Sequence, residues 1–260
     1  MKIDKIKEKL NNSVIGIANT AIDTHGRVPK FWQLYLDAKV ELGLDIVDTC
    51  ATSQCLSILA KARYDDINLI NNALSSVVRL RNSQGSWPSA ITVDELETPE
   101  KRRRGDTAIG DNCFALTALI DAGFLNEQFR YGALLSTDLQ NLYSRIEFVY
   151  KAVNWLLENK AKDGFGWYYT DEKTDAHSSV TLTTINVLQV LSKIIFELDK
   201  CCKNSQLTTE QQSNCNRFKK SIVSELEEIA NILTAPYNIY DKIQNDWKAI
   251  GTSIKSSAPS

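Results

Sequence analysis

The feature that most limits the fold is a hydrophobic period of three to four residues running through nearly the whole chain. Between Ser136 and Asn159, Leu139, Leu142, Ile146, Val149, Val153 and Leu156 line one side of a helix. Leu182, Ile185, Leu188, Leu191 and Ile195 predict a helix over 175–200. Phe218, Ile222, Leu226, Ile229 and Leu233 predict another after Thr208. Further helices are expected over 3–23, 45–63, 66–82 and 107–122, and a short one around 239–250. Ser136 or Thr137 is expected to cap the 136–159 helix, and Gly123 to stop the 107–122 helix. No alternating stretch reads as a strand of useful length. The expected class is therefore all-α. One domain is expected over 1–250, with 251–260 (Gly251-Thr-Ser-Ile-Lys-Ser-Ser-Ala-Pro-Ser260) as a tail or linker.

A second pattern organises the helices. Gln84-Gly85-Ser86-Trp87 follows one helix, and Gly164-Phe165-Gly166-Trp167 follows another 80 residues later. After each comes a polar loop and then a helix rich in Thr, Ser and Ala, and a third such helix starts at Asp48-Thr49-Cys50. Small side chains let one helix of a pair approach its neighbours closely, the glycine permits a tight turn, and the tryptophan fills the seam. Units of this kind cannot bury their faces alone and must stack or close into a ring.

Charge and composition exclude several classes. With 43% hydrophobic and 24% charged residues the chain is neither disordered nor fibrous. The net charge of −2 gives no global basic footprint, so nucleic acid is not an expected partner. No segment reaches the ~18 apolar residues of a membrane span. The charged start, Met1-Lys2-Ile3-Asp4-Lys5, does not read as an export signal. A cytoplasmic protein with reduced thiols is then expected from six cysteines without a CxxC pair.

Gln84-Gly85-x-Trp87, with Ala73 and Val77-Val78 upstream, resembles the QW repeat of terpenoid cyclases. Ala152-x-x-Trp155-Leu156 followed by Gly164-x-Gly166-Trp167 is similar, with Asn159 in place of Gln. The resemblance covers roughly residues 65–200 and implies the α/α toroid of the prenyltransferase and squalene-cyclase superfamily. With seven or eight helices, the expectation is helical hairpins forming such a toroid or an open arc of one. An open arc implies a protein partner or a further domain of a longer chain.

The same resemblance suggests chemistry. Asp111-x-Cys113, with His177 on a later helix, resembles the zinc site of protein prenyltransferase β subunits. These are legitimate zinc ligands and would leave a fourth position open for a substrate thiolate. Cys113 is followed by Phe114 where the family has Tyr. The family's diphosphate-binding Arg and Lys positions are Gly105 and Ala108 here, so Arg102, Arg103 and Arg104 are the candidate phosphate ligands. Trp87, Trp167 and Tyr168 are candidate aromatics for a pocket taking an apolar small molecule. No DxDD acid occurs. Asp65-Asp66 fails the DDxxD pattern at Leu69 and reads as a helix start. Asp163, Asp171, Glu172 and Asp175 beside Trp167 and Tyr168 offer only a weak sugar-binding pattern. The leading expectation is thus a binding or interaction scaffold without a cofactor and without catalytic residues. The alternative is a zinc enzyme alkylating a thiol with an isoprenoid diphosphate.

Overall fold

The structure is a computed structural model that describes residues 2–22, 29–33, 46–97, 108–161, 166–168 and 181–234. It is mostly helical: α1 (Lys2–Asn19), α2 (Thr49–Ala62), α3 (Ile67–Leu80), α4 (Val93–Glu97), α5 (Ile109–Asp121), α6 (Leu142–Glu158), α7 (Thr181–Cys201) and α8 (Thr209–Thr234). The all-α expectation holds at that level. Residues 239–250 and the 251–260 tail lie outside the described residues. Two strands of three residues each, β1 (Ile46–Asp48) and β2 (Ala90–Thr92), pair antiparallel, with Val47 opposite Ile91. Three residues are too few for an alternating pattern to stand out in the sequence.

Local chemistry sets the helix ends. Asp48 caps α2, its Oδ1 accepting from the Ala51 amide at 2.6 Å, and Asp66 caps α3 by accepting from Leu69 at 3.0 Å. The acidic pair 65–66 thus serves a helix start, as its sequence suggested. Thr208 and Gln211 form a reciprocal capping box ahead of α8. Gly123, at φ +75°, lets the chain leave α5 so that the Phe124 amide reaches the Leu119 carbonyl. The start of α6 differs from expectation. Residues 137–140 form a separate 3-10 turn and Asn141 is the cap, accepting from Ser144 at 2.8 Å. Leu139 continues the apolar period but belongs to that turn.

The helices α2, α5 and α7 lie side by side, with α5 in the middle. A charged link crosses all three. Asp121 of α5 accepts Lys61 Nζ of α2 at 2.9 Å on one side and Lys193 Nζ of α7 at 3.1 Å on the other, and it also accepts from Ser57 of α2. Burial works against this carboxylate, but the bonds from Ser57, Lys61 and Lys193 outweigh it and hold its pKa below the ordinary value. The remaining long helices pack behind this row: α1 and α3 against α2, α6 against α5, and α8 against α7.

Tryptophans join the two layers by one device used three times. The indole N–H of Trp87 donates to the Val77 carbonyl near the end of α3 at 2.7 Å, and that of Trp167 to Leu156 near the end of α6 at 2.6 Å. Trp32 does the same toward Ile17 near the end of α1 at 3.0 Å. The backbone N–H of each tryptophan then donates to the fourth residue of the following row helix. Trp32 uses Thr52 at 3.1 Å, Trp87 uses Asn112 at 2.9 Å and Trp167 uses Thr184 at 3.1 Å. The carbonyl just before each tryptophan also accepts from the residue that leaves the preceding helix: Phe31 from Ile22, Ser86 from Asn82 and Gly166 from Ala161. A buried indole needs its one donor satisfied, and here the partner is a carbonyl in the last turn of a helix. The glycines are needed for close approach. A Cβ on Gly85, which sits at φ +101°, would lie 2.7 Å from the Lys151 carbonyl, and one on Gly166 would strike Thr184.

Two further features tie the frame together. Arg145 is buried without a carboxylate partner. Its guanidinium donates to the carbonyls of Phe124, Asn126, Leu139 and Gln140, pinning the segment between α5 and α6. Cys202 and Cys215 form a disulfide across the turn between α7 and α8, with Cα atoms 5.6 Å apart. This corrects the expectation of reduced thiols for that pair: antiparallel packing of the two helices brings the cysteines within bridging range, which their irregular spacing concealed. Among the described residues Cys50, Cys55, Cys113 and Cys201 are free, and no helix is long and apolar enough to cross a membrane.

Candidate functional site

The candidate zinc ligands fall at the start of the row helices. Asp111 is the third residue of α5 and Cys113 the fifth. Side chains two apart on a helix leave it in different directions. Asp111 is half-buried and accepts from Ser89, while Cys113 is 2% exposed within the hydrophobic core. His177 lies outside the described residues, so the three are not seen together. Arg102, Arg103 and Arg104 lie outside them too, as do Asp163, Asp171, Glu172 and Asp175. Among the described residues no three His, Cys, Asp or Glu side chains are grouped to hold a metal ion.

What does assemble around Asp111 is a set of groups held toward neutrality. Asp48, at the cap of α2, has its carboxyl raised by burial and then by Asp111, although the Ala51 amide opposes the rise. Burial raises Asp111 as well, against the Ser89 bond. Burial, then the two carboxylates, pushes the Cys50 thiol up to about 11; burial and Asp111 push Cys113 up to about 12. Thiols so placed are not thiolates at neutral pH, so neither is poised as a nucleophile. Asp48 and Cys50 were not singled out in the sequence. Their signal is faint: an Asp at the head of a small-residue helix.

The candidate aromatics serve the frame. Trp87 and Trp167 are fully buried in the seams described above. Tyr168 packs against the core, its hydroxyl 3.4 Å from Asn159 Oδ1. None of the three lines a described cavity. The largest of these, about 450 Å³, lies beyond the ends of α2 and α5, beside Arg63, Tyr64, Phe129 and Tyr131.

The repeat exposes a different surface. Take Thr52, Asn112 and Thr184, the partners of the three tryptophans, as a common origin. Nine residues further along stand Lys61, Asp121 and Lys193, the three members of the charged link. The row helices therefore run in the same register, and equivalent positions can be compared. Two before, one after and twelve after the origin, α5 and its exit place Gly110, Cys113 and Phe124, all buried. The equivalents on α7 are Leu182, Ile185 and Phe196, which are 68%, 43% and 64% exposed. They form one stripe on the flank of α7 that faces away from α5, with Gln189 and Ser192 between them and Lys200 stacked on Phe196 at 4.1 Å. This flank was missed in the sequence, where Leu182 and Ile185 served only as part of the apolar period of a helix. The constant interval of nine residues from origin to charge was the signal available, together with Trp32, whose loop lacks the Gly-x-Trp pattern.

No family model matches the chain, and neither a curated protein nor a solved structure does.

Proposed function

We propose that this chain is a binding module built of helical hairpins, resembling part of a prenyltransferase or terpenoid-cyclase toroid, that docks a protein partner rather than carrying out catalysis. The observation that supports this most is the open flank of α7. Three large apolar side chains in one stripe, at positions that are buried on α5, are a costly thing to leave in water. The Cys50 and Cys113 thiols, pushed up to about 11 and about 12, are not poised as nucleophiles, which fits a binding module.

The test compares wild type with Ile185→Asp, both purified from the natural host with whatever accompanies them. A partner retained by wild type and lost by the variant, with unchanged helicity and melting temperature, is the expected result. Equal retention by both, or no partner with either, defeats the proposal.

A further inference from the structure

Resting on that reading, we infer that the occupant of the α7 flank is an amphipathic helix with an apolar stripe and a carboxylate level with Lys193. The argument starts from the alternation Lys61, Asp121, Lys193 across the row. Each junction between row helices pairs a cation with an anion at one level, and the row ends on a cation. Lys193 is bound once, to Asp121, and its side chain keeps 39% exposure. An ammonium carries three donors, so two remain for a further acceptor on the open side. Seven residues on, two helical turns away, Lys200 is already paired with Glu197 at 2.8 Å and stacked on Phe196. The surface on either side of Lys193 is apolar: Leu182 and Ile185 before it and Phe196 after it, with Leu188 and Ile195 partly buried beside them. That combination is a flank for a helix reading apolar at three- and four-residue steps, with an acid at the level of Lys193.

The same charges argue against a second copy of this chain. Its own α7 flank, set parallel and in register as the row helices are, would place ammonium against ammonium at this level. So would its α2, whose equivalent residue is Lys61. Like charges brought together in a desolvated interface cost affinity.

The structure supplies its own probe. The α5 segment 108–122 presents Asp121 to Lys61 of α2, and α7 offers Lys193 at the equivalent level. A dye-labelled synthetic peptide of residues 108–122 would be titrated onto the full chain by fluorescence anisotropy, beside the same peptide with Asp121→Lys or Asp121→Asn. The expected result is binding that weakens with salt and falls about ten-fold for each altered peptide, as for loss of one partly screened pair. Chain variant Lys193→Gln should lose the preference for the acidic peptide, and Phe196→Ser should lose affinity for all three. Equal binding of the three peptides overturns the acidic requirement while leaving a docking flank. No binding by any of them overturns the inference. Shielding of an Ile185→Cys thiol from maleimide in the isolated full chain would show that the chain covers the flank itself, which overturns both the inference and the reading beneath it.

Discussion

The middle and last helices of the row carry the same framework to opposite ends. On α5, the positions around the tryptophan partner hold Gly110 and Cys113, both small and buried, although a side chain at Gly110 would enter open space. On α7 the same positions hold Leu182 and Ile185 in contact with water. Cys113 packs within the core, whereas Leu182 and Ile185 make a surface that suits a partner. The difference lies in neighbours rather than in helix propensity, since both helices are clamped by a tryptophan and joined through the same charged link.

That contrast can be attacked most sharply by placing one change at both positions. Cys113→Asp buries an unpaired carboxyl beside Asp111 and is expected to cost more than about 3 kcal/mol, while Ile185→Asp stays within about 0.5 kcal/mol. Urea melts of the pair measure it, and similar losses would mean that the α7 flank is covered in the isolated chain. Next in size are the clamps. Trp87→Ala and Trp167→Ala are each expected to lose roughly 3–5 kcal/mol, because each removes a fully buried indole together with its hydrogen bond to a helix-end carbonyl. Reduction of Cys202–Cys215, or Cys202→Ser with Cys215→Ser, should cost about 3 kcal/mol by opening a short loop. It should loosen α7 from α8 and leave α5 unchanged in hydrogen exchange.

The smallest effects are electrostatic. Asp121→Asn is expected to cost about 1 kcal/mol, discounted because Lys61 is largely in solvent. Its carboxyl sits below the ordinary 3.8, so its stabilisation is present above that pH and is lost as pH falls through the lowered value. Asp48 and Asp111 work the other way. Their folded pKa values are raised, so the native state holds extra protons, and stability falls as pH climbs from 3.8 through the raised values. Asp111→Asn should remove part of that slope and change neutral-pH stability by less than about 1 kcal/mol. A steeper slope in the variant would show that Asp111 is stabilised as an anion.

The helices were legible because their apolar period is long and regular, and Trp87 and Trp167 were legible as seam residues because glycine marks both turns. Trp32 was hidden because the residues just before it, Pro29-Lys30-Phe31, hold no glycine to announce a turn. The partners Thr52, Asn112 and Thr184 were hidden for another reason: three different side chains fill one role, since a hydroxyl or an amide oxygen accepts an amide hydrogen equally well. The flank of α7 could not be read at all, because a stripe of leucine, isoleucine and phenylalanine looks the same whether or not a neighbour covers it.

The tryptophan clamps have a consequence for how the chain can change length. Each fastens two points that are 20, 25 and 17 residues apart in sequence, so the segment between them is a closed bight hung from fixed pegs. Adding or removing residues inside a bight alters closure entropy only slowly and leaves the pegs where they are. The three intervals already differ, yet the charged link across the row stays in register. The fold therefore separates a frame, to which the β1–β2 pair and the buried Val47, Ile91, Val93 and Leu96 also belong, from connecting sequence whose length can change without resetting the helices.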